Sequence, residues 1–210
     1  MEFEIKNTVV YGLNKSMIAS GNAMRTTMEN NEKEPTDKDM QRAIKLGNTN
    51  VGEGHDNFLN GIVVQFDLYA PLYMWKQLQR YHFLDFISSQ STMHRLTKFN
   101  VKECCVKDTD HIILSRYQEL LNRYNRLIED IKNTKDEPLL NQIKNENWRK
   151  LVASLPCGFV LGATMTTNYR QLKTIYHQRK NHKLDEWKSF CKWIEELPYF
   201  KELCLNENNN

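Results

Sequence analysis

Residues 62–91 read IVVQFDLYAPLYMWKQLQRYHFLDFISSQS, and the way this stretch folds decides how the rest of the chain is arranged. Ile62 to Tyr69 is β-branched and aromatic. It alternates at Val64, Phe66 and Leu68, the period of a strand with one face covered. Ala70-Pro71 is a sharp break, and Pro71 can open a helix because the first helical turn does not use its missing N–H. Leu72, Trp75 and Leu78 give that helix an apolar side, so Gln77, Arg80 and Tyr81 can share the other. A second apolar patch, Phe83 to Ile87, leads into a polar turn at Ser88, Ser89, Gln90 and Ser91. A strand, a break and an amphipathic helix thus end in hydrogen-bonding groups and a fixed cation. That combination suits an anionic small molecule rich in hydrogen-bond acceptors.

Upstream, Phe3 to Tyr11 predicts a first strand and Asn14 to Met28 a helix. Glu29 to Pro35 is polar and turn-rich. Thr36 with Asp39 three residues on predicts a capping box at the head of a second helix, stopped by Gly47. Residues 47–61 hold four of the eight glycines and His55. A loop of this kind either turns sharply or lets backbone approach a ligand, and His55 is either a loop histidine or part of a site. Downstream, Asn100 to Asp110 is a polar connection. Asp110 to Lys132 predicts the longest helix, with Ile113, Tyr117, Leu120, Leu121, Tyr124, Leu127 and Ile131 on one stripe. Leu139 to Leu155 predicts another, ended by Pro156. Cys157 to Met165 is a short apolar extended segment. Thr166 or Thr167 caps a helix from Asn168 to Lys180, and Asp185 starts the last. Helices with a few non-alternating strands predict an α+β domain rather than a doubly wound sheet.

The bulk properties narrow the function. The net charge of +3, from 29 basic and 26 acidic residues, is too small and dispersed for a nucleic-acid surface. No apolar run approaches the roughly 18 residues of a membrane span. The N-terminus lacks the features of a secretory signal, and five cysteines form no even framework, so a cytoplasmic setting is expected. Cys104-Cys105 has neither redox nor metal-ligand spacing. Neither standard phosphate loop, no zinc pattern and no hydrolase elbow is present. Two polar constellations remain. One is Gln77, Arg80, Tyr81 and His82 with Ser89, Gln90 and Ser91. The other is Asn168, Arg170 and Arg179, whose two arginines are spaced to lie on different helix faces. Arginine's planar fork suits phosphate or a pyrimidine carbonyl, although arginines on amphipathic helices are also ordinary surface residues.

From about Asn22 to Lys188 the order of these segments resembles the flavin-dependent thymidylate synthases, the ThyX family. Asn22-Ala23-Met24-Arg25 is similar to the family's A-A-R-V-S segment, and Gly54 to Gly61 (GHDNFLNG) to its G-H-x-[ST]-P-F-E-H segment. Gln77-x-x-Arg80, Leu155-Pro156, Asn168-x-Arg170-x-Leu172 and Arg179 fall at its spacings. The family signature R-H-R-x-x-S-x-N-E-x-S-x-R is changed: Arg80 is kept, Tyr81 and His82 replace the next His and Arg, and the Asn-Glu pair is missing. Asn60-Gly61 stands for a Glu-His pair, Val152 for an arginine, and Leu184 to Trp187 for Ala-Gln-x-Glu.

The resemblance implies a ThyX-like fold over 1–203, with an antiparallel or mixed sheet and long helices, and a disordered tail at 204–210. It implies that Gln77, Arg80, Ser89, Gln90, Ser91 and Arg179 bind a deoxypyrimidine monophosphate, with Arg179 as the catalytic residue. Asn57, Arg80, Tyr81, His82, Asn168 and Arg170 would bind FAD, Asn168 and Arg170 from a neighbouring subunit of a homotetramer. NADPH would be the reductant and methylene-tetrahydrofolate the one-carbon donor. The altered signature leaves two expectations open: a synthase acting at carbon 5 of dUMP or a related nucleotide, or a relative without that activity that binds nucleotide, flavin or protein.

Overall fold

The computed structural model describes residues 2–28, 33–50, 52–132 and 137–205. Part of the expected polar loop (29–32) and most of the expected tail (206–210) lie outside the described residues. In chain order the elements are β1 (Glu4–Tyr11), α1 (Leu13–Ala19), α2 (Asp37–Gly47), β2 (Val63–Pro71), α3 (Leu72–Leu78), β3 (Asp85–Ser89), α4 (Thr92–Arg95) and α5 (Val101–Cys104). Then follow α6 (His111–Lys132), α7 (Glu137–Ala153), β4 (Val160–Asn168), α8 (Tyr169–Arg179), α9 (Asp185–Glu195) and α10 (Phe200–Cys204). The fold is α+β, with one antiparallel sheet in the order β1-β2-β4-β3. The chain divides into two compact units.

The first unit comprises Tyr69–Lys76 and Ser89–Ala163, with the N-terminal residues up to Glu4. Its core is Leu96, Val101, Cys104, Cys105, Tyr117, Leu121, Tyr124, Leu151 and Phe159. The expected stripe of α6 is buried at Tyr117, Leu121 and Tyr124, but Ile113 is 51% exposed and borders a groove with Arg116, Lys150 and Ser154. Cys104 and Cys105 are core residues. Burial pushes the Cys105 thiol up to about 11, so it stays protonated and inert. Two hydrogen bonds tie the residue after β3 to β4: Gln90 N–H donates to Gly162 O, and Gly162 N–H donates to Gln90 Oε1, each at 2.9 Å. A Cβ on Gly162 would come within 2.7 Å of the Tyr69 ring, so only glycine allows this approach.

The second unit comprises Ile5–Leu68, Gln77–Ser88 and the chain from Thr164 onward. β2 buries Val64, Phe66 and Leu68, as the alternation predicts. Phe66 meets Trp193 at 4.5 Å and Phe190 at 6.2 Å between ring centres. Antiparallel register with β4 is fixed by Tyr169 N–H donating to Ile62 O at 3.0 Å, and by the Thr164 hydroxyl donating to Asp67 Oδ1 at 2.6 Å. The Thr36–Asp39 capping box heads α2 as expected.

Several boundaries differ from expectation. α1 ends at Ala19, well short of Met28, with Ser20 as its C-cap and Gly21, a poor helix former, directly after it. Pro71 closes β2 instead of opening the helix. α3 ends at Leu78, so Gln77, Arg80 and Tyr81 do not share a helix face: the last two lie in the following turn. Neither Thr166 nor Thr167 caps α8. Both end β4, and Asn168 is the cap, its Oδ1 accepting from Gln171 N–H at 2.9 Å. β3, α4, α5 and α10 were not expected. The last of these carries ordered chain through Cys204, which is buried.

Candidate functional site

Three of the expected site residues meet around one ring. Trp187, the third residue of α9, is fully buried. It is held there by the stripe it makes with Phe190, Cys191 and Ile194, a spacing of three to four residues that faces α9 inward. Its indole N–H donates to Gln77 Oε1 at 3.0 Å. The Arg179 guanidinium carbon lies 4.7 Å from the centre of its ring, a cation–π contact that also covers apolar surface. Tyr81 packs edge-on against the same ring at 6.0 Å. The Tyr81 hydroxyl accepts from Arg179 Nε at 2.6 Å and lies 3.1 Å from Gln178 Oε1, to which it donates. The terminal nitrogens of Arg179 take no partner among the described residues.

His182 joins this group from the turn after α8. Its ring lies 6.1 Å from Trp187, and its Nδ1 accepts from Leu184 N–H at 3.2 Å. Desolvation, and then the charge of Arg179, hold its pKa below the ordinary histidine value.

Arg170 goes elsewhere. It sits in the first turn of α8, where the helix dipole disfavours a cation. Its Nε lies 3.1 Å from Oδ1 of the buried Asp56, as an ion pair off hydrogen-bond alignment. Lys173, itself buried, donates to Asp56 Oδ2 at 3.1 Å and to the carbonyls of Gly47 and Thr49 at 2.8 and 2.6 Å. The two arginines therefore do lie on different faces, with different partners. Asn57, adjacent to Asp56, is exposed.

Arg80 and His82 are exposed as well. His82 and Tyr81 line a surface cavity of about 550 Å³ with Gln79, Phe83, Leu84, Asp85 and Phe86. Gln90 and Ser91 are occupied locally: Gln90 by Gly162, and Ser91 as the cap of α4, accepting from His94 N–H at 3.1 Å. Ser89 is the exposed last residue of β3. His55 is an exposed loop residue. Among the described residues no group of three or more potential ligands comes together to hold a metal ion. No helix there is long and apolar enough to cross a membrane.

No motif in the sequence assigns a role to Trp187, Asp56 or Lys173, although Lys173 and Trp187 each leave a trace. Lys173 falls on the apolar face of α8 with Tyr169 and Leu172, and a lysine there implies a buried partner. Trp187 begins the apolar stripe of α9.

The family model for the thymidylate synthase complementing protein matches residues 11–198. The chain belongs to this family. Two solved structures of the flavin-dependent thymidylate synthase ThyX from Helicobacter pylori, each complexed with FAD and dUMP, share its fold. For each, the TM-score is 0.66 at 16% sequence identity, over 98% of both chains. No curated protein matches. Membership in the thymidylate synthase complementing protein family supports an enzyme. It also makes the changed signature around Tyr81 and His82 a variation within the family rather than a chance likeness.

Proposed function

We propose that this protein is a flavin-dependent thymidylate synthase that transfers a one-carbon unit from methylene-tetrahydrofolate to carbon 5 of dUMP, giving dTMP. The observation that carries this reading is Arg179. It is a half-buried cation clamped by Trp187 and Tyr81, with no partner for its terminal N–H groups among the described residues, in a chain that matches the family model almost throughout. A flat heteroaromatic cofactor fits the residues present. The cavity beside Tyr81 has the size of small-molecule sites, roughly 300–1,000 Å³. Its wall of Tyr81, His82, Phe83 and Phe86 suits the face of a ring system. Tyr81, His82 and the exposed Arg80 would hold FAD, with Asn57, and with Asn168 and Arg170 reaching a flavin on a neighbouring subunit. When bound, FAD supplies the redox and one-carbon relay chemistry, with NADPH as reductant.

The chain's own residues contribute positioning and charge. Arg179 offers a permanent cation to the pyrimidine, favouring the form deprotonated at N3 and so raising electron density at carbon 5. Gln77 would add a hydrogen bond to the nucleotide. No side chain needs to act as a nucleophile. The assembly we propose is a cytoplasmic homotetramer.

The test is spectroscopic and genetic. The purified protein should bind FAD, absorbing near roughly 450 nm as oxidised flavin does, and should rescue a thymidine auxotroph. Arg179→Ala should keep the flavin and lose about 10²- to 10³-fold in turnover, the cost of removing a preorganised donor at developing charge. A colourless protein that fails to bind added FAD, or full activity in Arg179→Ala, contradicts the proposal.

A further inference from the structure

We propose that Phe83 and Asp85 form a subsite for a pterin, the 2-amino-4-oxo ring of the one-carbon donor, with the Phe83 ring against its face and the Asp85 carboxylate on its donor edge. That the pterin belongs to a folate rests on the synthase reading above; the chemistry of the cavity does not.

Both residues line the cavity of about 550 Å³ that Tyr81 and His82 also border. Phe83 is the unusual one. Its φ is 61°, in the left-handed region that a bulky L side chain rarely adopts. Its side chain is 66% exposed and meets no other aromatic ring among the described residues. The next residue, Leu84, is buried, so the core contact of this turn is made without Phe83. A turn of this shape needs only glycine, which reaches positive φ without strain. Phenylalanine instead strains the backbone and leaves apolar surface in water. A flat ring laid on it would cover that surface and offset the strain.

Charge decides which ring. Among the described residues no arginine or lysine lines the cavity, and its ionisable groups besides Tyr81 are His82 and Asp85. The Asp85 side chain takes no partner among the described residues. A phosphate placed here would face a carboxylate with no fixed cation between them, so the cavity does not suit the phosphate end of a nucleotide.

A carboxylate only accepts. It pairs best with two donors side by side, as it does with the fork of an arginine. Uracil and the flavin ring carry one N–H between two carbonyl oxygens, and those oxygens would meet the carboxylate acceptor to acceptor. A pterin carries a 2-amino group next to its N3–H, two adjacent donors. With Tyr81 and His82 assigned to the flavin, Phe83 and Asp85 are left for the pterin.

The experiment uses the full chain with FAD added and titration calorimetry with four probes. These are tetrahydrofolate, 6-methylpterin, 6-methyllumazine, which has an oxygen in place of the 2-amino group, and guanosine, which carries the same donor pair on a purine. The proteins are the wild type, Phe83→Gly, Phe83→Trp and Asp85→Asn. Both positions are exposed, so the variants should fold. The wild type should bind tetrahydrofolate and 6-methylpterin. It should prefer 6-methylpterin to 6-methyllumazine by about tenfold or more, the cost of an acceptor facing the carboxylate. Asp85→Asn should lose most of that preference. Phe83→Gly should lose about tenfold in affinity for tetrahydrofolate and 6-methylpterin. It should melt no lower than the wild type, because glycine makes the same turn without strain. A residue kept only for the turn would not lose affinity while keeping stability. Phe83→Trp should keep the affinity. No binding of 6-methylpterin, binding only when FAD is left out, equal binding of 6-methyllumazine or an unchanged affinity in Phe83→Gly each overturns the subsite. The synthase reading stands in those cases if the wild type still makes dTMP. Guanosine bound in preference to tetrahydrofolate overturns the folate identity. A chain that binds 6-methylpterin as described but binds no FAD keeps the subsite and sinks the synthase reading.

Discussion

Lys173 shows how a single residue can be both buried and charged. An ammonium has three donors, and all three are used: on Gly47 O, Thr49 O and Asp56 Oδ2. No proton is left over for acid–base chemistry, so its work is to pin the 47–56 loop to α8. Lys173→Met strips partners from two carbonyls and from a buried carboxylate. Unfolding in urea should show a loss of roughly 3–5 kcal/mol, the cost of breaking a buried pair from one side. A loss below about 1 kcal/mol, the worth of an exposed ion pair, would contradict the buried arrangement. His182 makes a pH prediction. Its folded pKa lies below the ordinary 6.5, chiefly from desolvation and then from Arg179. Between the two values the unfolded chain holds a proton that the folded chain does not. Stability is therefore lost as pH falls through 6.5 toward the folded value. Arg179→Met removes the second cause and should move the His182 titration, followed by proton NMR, part of the way back up. A titration that does not move would show that Arg179 is not beside it.

At the scale of elements, local chemistry was legible and long-range pairing was not. The Thr36–Asp39 box lies within four consecutive residues, so the sequence states it and the structure repeats it. Thr36→Ala should cost about 1 kcal/mol in thermal or chemical unfolding. The Thr36 hydroxyl, with Arg42, holds the Asp39 carboxyl below its ordinary 3.8. That contribution is present above pH 3.8 and disappears as pH falls through the lower folded value, so the Thr36→Ala deficit should shrink in acid. β3 was missed for the opposite reason. All five of its residues are exposed, so no alternation marks them, and only pairing with a distant segment makes them a strand. Gly162 belongs to that pairing. Gly162→Ala would drive a methyl group into the Tyr69 ring and toward Gln90 Oε1. A loss of about 1–3 kcal/mol is expected, typical of overpacking. An unchanged melting temperature would mean that the ring moves aside freely.

Across the whole molecule, α+β architecture followed from helices that outnumber strands and do not alternate with them, and family membership now accounts for residues 11–198. Arg179 and Gln77 were legible as candidates because arginine and glutamine near apolar helices invite a ligand. Their common partner was not legible: Trp187 follows Gln77 by 110 residues, and nothing local in either segment names the other. The site proposed around them serves flavin-dependent synthesis of dTMP. The most direct measurement incubates the purified chain with dUMP, methylene-tetrahydrofolate and NADPH, with and without FAD, and quantifies dTMP. dTMP is expected only when FAD is present. A protein that binds FAD and dUMP yet forms no dTMP would contradict it.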